Sequence, residues 1–133
     1  MQGKRDTMPN RIEPYLLIAA GGFAGASARY ALGETVPGMA GILAINVLGC
    51  FLLGFLMYES IYVGAFSPHT RLVYGVGLLG AFTTFSTFSF QTFETSPVMA
   101  MLNVSASLVL GLLAVFLGRM AAILVSGRRP WKR

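Results

Sequence analysis

One segment of the chain combines residue types that could bind an ion. Residues 80–90 read Gly-Ala-Phe-Thr-Thr-Phe-Ser-Thr-Phe-Ser-Phe, and Gly75 and Gly77 precede them. β-Branched threonines, hydroxyls and glycines together make a poor uniform helix. A break in an apolar helix releases backbone carbonyls, which must find partners in water, in hydroxyl groups or in a bound cation. Because hard cations prefer oxygen ligands, the segment could hold an alkali or alkaline-earth ion.

Three phenylalanines recur in the same segment. Phe82, Phe85 and Phe88 are spaced by three residues and would lie near one helical face. The edge of an aromatic ring is electropositive, so these edges could line a path for an anion. The alternative is that the rings simply face lipid or the protein core.

Isolated polar residues elsewhere could extend an ion path. The Asn46 amide can donate to an anion, or it can form an interhelical hydrogen bond worth about 0.6 kcal/mol. Asn103 and Ser107 lie four residues apart and could form a polar track or merely pack between helices. Arg29 could draw anions into a vestibule or extend to lipid phosphate. No nucleophile and base, metal-ligand cluster or phosphate loop stands out, so we expect a protein that is not an enzyme.

Membrane-spanning helices would have to position these residues. The 133-residue chain is 55% apolar and 11% charged, with a mean hydropathy of +0.68, which does not fit an ordinary soluble domain. The charges leave four long charge-free intervals, at 14–28, 35–58, 72–93 and 95–118. About 20 apolar residues cross the hydrocarbon core of a bilayer. We therefore predict an all-α integral membrane protein whose third helix is broken, with four spans at about 14–32, 39–62, 71–93 and 97–125.

One membrane domain accounts for most of the chain. We predict a polar leader over 1–13, a four-span membrane domain over 14–126 and a basic tail over 127–133. The basic residues flank the spans, so we interpret them as lipid contacts and orientation signals and expect no nucleic-acid partner. Four spans place both termini on one side with the 63–70 loop and most Lys and Arg residues. The positive-inside rule then predicts that both termini are cytoplasmic.

Three motifs, in this order, resemble those of the Fluc fluoride channels, also called the CrcB family. They are Gly-Gly-Phe-Ala-Gly-Ala-Ser-Ala-Arg-Tyr at 21–30, Asn-Val-Leu-Gly at 46–49 and the threonine-rich run at 80–89. The resemblance covers nearly the whole chain. It implies a passive, fluoride-selective channel in the cell membrane that exports cytoplasmic fluoride and reduces its toxicity. It also implies an antiparallel dimer of four-span subunits.

The resemblance further implies roles for individual residues. A structural sodium ion, which is not transported, would sit at the dimer interface on the backbone carbonyls of Gly80 and Thr83. Arg29 would belong to the vestibule. The fluoride path would be formed by eight residues: Asn46, Thr84, Phe85, Ser86, Thr87, Phe88, Asn103 and Ser107.

The chain also departs from the family pattern. Members often carry a hydroxyl at the position of Ile42 and a serine at that of Gly111, and a tyrosine is sometimes found in place of Asn103. The uneven distribution of Lys and Arg is a further departure, because a subunit that inserts in both orientations should have a balanced one. We therefore expect either a homodimer or a heterodimer with a paralogous subunit in the opposite, fixed orientation.

Two other functions would suit a small four-span protein. A dual-topology multidrug transporter needs a membrane-embedded carboxylate, whereas Glu13, Glu34, Glu59 and Glu94 lie at or beyond the span ends. A non-conducting membrane assembly subunit would use Asn46 and the serines only to join helices.

Overall fold

The computed structural model describes residues 12–127, and this part of the chain is helical without any β-strand. The predicted all-α class is therefore confirmed. Most of the predicted leader (1–13) and tail (127–133) lies outside the described residues, together with the majority of the basic residues.

Five helices follow one another along the described chain. Two stretches are π-helical, namely the last turn of the second helix, Glu59–Val63, and Arg71–Leu79 within the third. The third helix also includes the α-helical turns Pro68–Thr70 and Gly80–Phe82 on either side. The five helices are α1 Glu13–Thr35, α2 Met39–Val63, α3 68–82, α4 Ser86–Phe93 and α5 Pro97–Ser126.

Local sequence explains where these helices begin and end. Pro14 and Pro97 lie in the first turns of α1 and α5, where a missing backbone donor costs nothing. The Ser96 hydroxyl caps α5 by accepting the Met99 N–H at 3.4 Å, as serine does at many helix starts. Gly64 follows α2 with a φ of 68°, a left-handed conformation that glycine adopts without strain.

Three stretches of the described chain are long and apolar enough to cross a membrane. The first is α2 and the third is the 30-residue α5. The second is the 26-residue stretch Pro68–Phe93, which consists of α3 and α4 together. This is consistent with an integral membrane protein. Helix α1 is not among them, because its many small residues and Arg29 lower its hydropathy.

Helix α1 runs parallel to α3 over most of its length. Glu13 pairs with His69 at 3.4 Å at one end of the two helices. Farther along, Gly25 lies directly against the backbone carbonyl of Leu78, and a side chain at this glycine would collide with that carbonyl. Small residues that allow such close backbone contact are typical of helix pairs in membranes.

Helices α2 and α5 form a second parallel pair. Gly54 packs against the backbone of Val115, and the Glu59 carboxylate accepts a hydrogen bond from the Ser126 hydroxyl at the ends of the two helices. Helix α2 runs antiparallel to α3, because Gly75 lies near Leu56 whereas Gly49 lies near Thr83. The ends of α2 and α5 therefore lie on the same side as the beginnings of α1 and α3.

The chain leaves the helical conformation between α3 and α4. Thr83 has an extended backbone, with φ of −75° and ψ of 158°, and the next helix begins at Ser86. The interruption falls within the threonine- and phenylalanine-rich segment, next to the middle of α2.

Candidate functional site

A groove of about 660 Å³ lies between α2, α3, α4 and α5. Its other walls are mostly apolar, with Leu53, Leu79, Val104 and Leu108 among them. Seven of the eleven predicted site residues line it: Asn46, Gly80, Thr83, Thr84, Phe85, Phe88 and Ser107.

Asn46 holds the interruption between α3 and α4 by two hydrogen bonds to one residue. Its Nδ2 donates to the Thr84 carbonyl at 3.0 Å, and its Oδ1 accepts the Thr84 N–H at 2.9 Å. In a continuous helix that N–H would donate to the Gly80 carbonyl. The amide side chain of Asn46 therefore takes the place of the helical partners of Thr84. The second N–H of Asn46 Nδ2 takes part in neither of these two bonds.

The hydroxyls after the interruption bond largely to one another. The buried Thr84 hydroxyl donates to Thr87 Oγ1 at 3.1 Å and accepts the Thr87 N–H at 3.2 Å, which caps α4. It also lies 3.3 Å from Ser86 Oγ. Neither Ser86 nor Thr87 lines the groove. Their hydroxyls thus support the start of α4.

The two phenylalanines of the groove lie at the start of α4. The ring centroids of Phe85 and Phe88 are 5.9 Å apart, and the rings are tilted by 40°. Phe88 is half-buried, whereas Phe85 is 80% exposed. The rings form an aromatic pair that extends from the groove to the surface of the protein.

Asn103 and Ser107 occupy different environments although both belong to α5. Ser107 lines the groove, and its hydroxyl is buried without a hydrogen-bond partner among the described residues. Asn103 is 6% exposed, and its Nδ2 donates to Thr92 Oγ1 at 2.7 Å. The structure therefore brings Ser107, but not Asn103, into the groove.

Arg29 reaches the interruption from α1. One guanidinium nitrogen of Arg29 lies 3.4 Å from the Thr83 carbonyl, to which it donates. The Thr83 hydroxyl donates back to the Leu79 carbonyl at 3.1 Å. The Thr83 carbonyl is thus directed at a cationic group.

Backbone oxygens are the available ligands for a metal ion at this site. Among residues 12–127 no group of three or more His, Cys, Asp or Glu side chains could hold a metal. The Gly80 carbonyl is released by the bond between Thr84 and Asn46, and Thr83 has an extended backbone. Hard cations prefer oxygen ligands, so the carbonyls of Gly80 and Thr83 are the groups here that could hold such an ion.

Sequence reasoning missed two residues of this region. Thr92 links Asn103 to α4, and Gly49 lies so close to Thr83 Cγ2 that a side chain there would overlap it. The sequence shows the four-residue spacing from Phe88 to Thr92. It does not show how α4 and α5 align, and this alignment brings Thr92 to Asn103.

The groove combines polar and aromatic side chains within apolar walls. Asn46, Thr84 and Ser107 line it together with Phe85 and Phe88. Amide and hydroxyl donors can replace part of the hydration shell of an anion.

Comparison with known proteins agrees with the chemistry of this groove. Residues 16–119 match the model of the family described as CrcB-like protein, Camphor Resistance (CrcB). The match spans α1 to α4 and most of α5, and so includes every predicted site residue. It confirms the resemblance inferred from the three motifs.

Several relatives are ion channels by name. The chain is 48% identical over 115 residues to fluoride-specific ion channel FluC 1 of Methanospirillum hungatei, covering 86% of this chain and 81% of that protein. It is 45% identical over 117 residues to FluC 2 of Methanosarcina acetivorans, covering 88% and 93%. It is 44% identical over 117 residues to FluC 1 of the same organism, covering 81% and 89%.

These names describe channels and so confirm the prediction that the protein is not an enzyme. The family match extends over most of the chain, and the similarity to these relatives includes the groove and the helices that build it. The chain therefore belongs to the CrcB-like family.

Proposed function

We propose that the protein is a fluoride-specific ion channel that passively exports cytoplasmic fluoride and so reduces its toxicity. The observation that carries this proposal is the groove, where Asn46 and Ser107 line the same space as Phe85 and Phe88. The names of the relatives support fluoride as the ion.

The physical difficulty of fluoride transport is dehydration. A small anion holds its water tightly, and a path through hydrocarbon must offer donors in exchange. The neutral donors of Asn46 and Ser107 and the electropositive ring edges would do this. A narrow path would exclude chloride by size. Arg29, placed beside the interruption, would raise the local anion concentration.

We propose four membrane spans, with α1 as the first and the interruption between α3 and α4 at membrane depth. The 23 residues of α1 would extend about 34 Å at 1.5 Å per residue, enough to cross a bilayer core of about 30 Å. The parallel packing of α1 on α3 supports the same conclusion. The positive-inside rule then gives cytoplasmic termini in the cell membrane.

The active unit would be an antiparallel dimer. The exposed Phe85 ring supports this, because a second subunit would cover it and complete the path. The second subunit would be either another copy or a paralogue in the opposite orientation. Relatives numbered FluC 1 and FluC 2 in Methanosarcina acetivorans support the heterodimer.

A structural sodium ion would sit at the dimer interface on the carbonyls of Gly80 and Thr83. Bound sodium would supply a fixed positive charge near the two paths. The remaining ligands would come from the second subunit. Asn46 would keep the Gly80 carbonyl available by binding the Thr84 N–H, and Arg29 would share the Thr83 carbonyl.

Purified protein in liposomes distinguishes this function from the two alternatives. Fluoride efflux that needs no proton gradient supports a passive channel. Efflux of a lipophilic cation driven by a proton gradient would indicate a multidrug transporter. Absence of any flux, from the chain alone and from a preparation with its paralogue, would indicate an assembly subunit.

A further inference from the structure

A chain of two hydrogen bonds connects α5 to the backbone of Phe88. Asn103 Nδ2 donates to Thr92 Oγ1 at 2.7 Å, and Thr92 Oγ1 donates to the Phe88 carbonyl at 2.7 Å. A threonine hydroxyl has one proton. Because Thr92 gives that proton to Phe88, it can only accept from Asn103, and the two bonds fix one another's direction.

Helix α4 depends on such bonds more than the other helices. It has eight residues and none of them is buried, and a helix of this length is not stable on its own. Its start is held by the Thr84 hydroxyl, which accepts the Thr87 N–H. Its end is held by Thr92, whose partner Asn103 is an almost fully buried amide that needs a hydrogen bond.

Asn103 is directed at α4 and Ser107 at the groove. Ser107 lines the groove, one turn along α5 from Asn103, and its hydroxyl has no hydrogen-bond partner within residues 12–127. Asn103 is not a lining residue, and its amide is engaged by Thr92. In this structure the pair formed by Asn103 and Thr92 therefore contacts the backbone of α4 rather than the groove.

We propose that Thr92 is a positioning residue for fluoride selectivity, acting with Asn103 to fix the height and rotation of α4. Phe88 belongs to α4 and Phe85 directly precedes it, so the position of α4 sets where the two rings lie in the groove. This inference rests on the proposed fluoride channel function.

The test is a double-mutant cycle with two measurements. The ratio of fluoride to chloride permeability is measured in liposomes, and thermal stability is measured in detergent. The variants are Thr92→Val, Asn103→Leu and the double variant, which replace the polar pair by apolar groups of similar size. Thr92→Ser keeps the hydroxyl. Thr35→Val is the matched control, because the Thr35 hydroxyl also donates to a backbone carbonyl, that of Leu32, but at the exposed end of α1.

Each single variant should lower the ratio of fluoride to chloride permeability about tenfold, equivalent to about 1.4 kcal/mol of barrier difference. Thr92→Ser should stay within about twofold of the wild type, and Thr35→Val should not change the ratio. In the double variant the unpaired buried amide is gone, so thermal stability should recover relative to Thr92→Val. The selectivity for fluoride should not recover, because two apolar side chains form no hydrogen bond that fixes the position of α4.

A purely structural role predicts that selectivity recovers with stability in the double variant, and this result would overturn the proposal. So would independent, additive losses, or a loss in Asn103→Leu with none in Thr92→Val, which would place Asn103 on the ion path itself. If the wild-type protein shows no fluoride efflux, the proposed function and this inference are both wrong. If the wild type conducts fluoride and the variants keep its ratio of fluoride to chloride permeability, only this inference is wrong.

Discussion

Asn46 and Thr84 exchange two hydrogen bonds, of 3.0 and 2.9 Å, across the interruption between α3 and α4. Both backbone groups of Thr84 are thereby satisfied by one side chain. In an apolar environment an unpaired backbone group costs several kcal/mol. The pair therefore allows the chain to leave the helical conformation next to the groove.

The first prediction concerns this pair. Asn46→Leu should lower thermal stability and abolish fluoride flux, because each unpaired group of Thr84 costs about 1–3 kcal/mol. Asn46→Asp retains the acceptor for the Thr84 N–H but places a negative charge beside an anion path, so it should lose flux with a smaller loss of stability. Thermal unfolding and fluoride efflux measure the two effects. Ser105→Ala, on an exposed position of α5, is the control. Equal flux in Asn46→Leu and the control would contradict this role.

The second prediction concerns the contact between Gly49 and Thr83. A methyl group at Gly49 would overlap Thr83 Cγ2 and touch the Phe82 ring. Gly49→Ala should destabilise the protein by about 1–3 kcal/mol through overpacking and displace the Thr83 carbonyl. Adding Thr83→Ser removes the methyl group but keeps the hydroxyl bond to Leu79, so the double variant should recover stability.

Gly33→Ala is the control for this pair, since nothing lies within 4 Å of the added group. Alanine is a better helix former, so this variant should be neutral or stabilised by up to about 1 kcal/mol. If Thr83→Ser fails to rescue Gly49→Ala in thermal unfolding, the contact with Cγ2 is not the cause of the loss.

The sequence predicted some of these features because they depend on local chemistry. Charged residues and prolines flank the helices, so α2 and α5 begin where the second and fourth predicted spans do, at 39 and 97. Composition also predicted the interruption of the helix within 80–90. Seven of the eleven residues that the family resemblance implies for the site line the groove, and their roles stay predictions.

Other features depend on how the helices align and were not visible in the sequence. The bonds from Asn46 to Thr84 and from Asn103 to Thr92 join residues 38 and 11 positions apart. The π-helical stretch Arg71–Leu79 has no clear signal beyond its glycines. Asn103 was predicted as a polar-track residue on its spacing from Ser107, but spacing does not reveal that α4 covers it.

The third prediction concerns the aromatic pair. Phe85→Ile and Phe88→Ile should each lower fluoride efflux at least about tenfold, or about 1.4 kcal/mol, because isoleucine has no electropositive edge. Phe90→Ile is the matched control, since Phe90 is exposed on the same helix and does not line the groove. Size-exclusion chromatography should show the same dimer for all variants. Wild-type efflux in both groove variants, with intact dimers, would show that the rings do not act on the ion.

The fourth prediction concerns sodium removal. If the carbonyls of Gly80 and Thr83 bind sodium, the melting temperature should rise with sodium concentration at constant ionic strength. A ligand at 100 times its dissociation constant stabilises by about 2.7 kcal/mol. N-methylglucamine replaces sodium in the control series, and fluoride efflux should be lost in it. Identical melting curves in both series would exclude a structural sodium ion.

The most direct test of the channel assignment is the release of fluoride from proteoliposomes, followed with a fluoride electrode. Liposomes loaded with potassium fluoride or potassium chloride, with sodium on both sides, receive valinomycin to balance charge. We predict rapid release of fluoride and no release of chloride beyond that of protein-free liposomes. Retention of fluoride by both the chain alone and its pairing with a paralogue, or equal release of the two anions, would contradict the assignment.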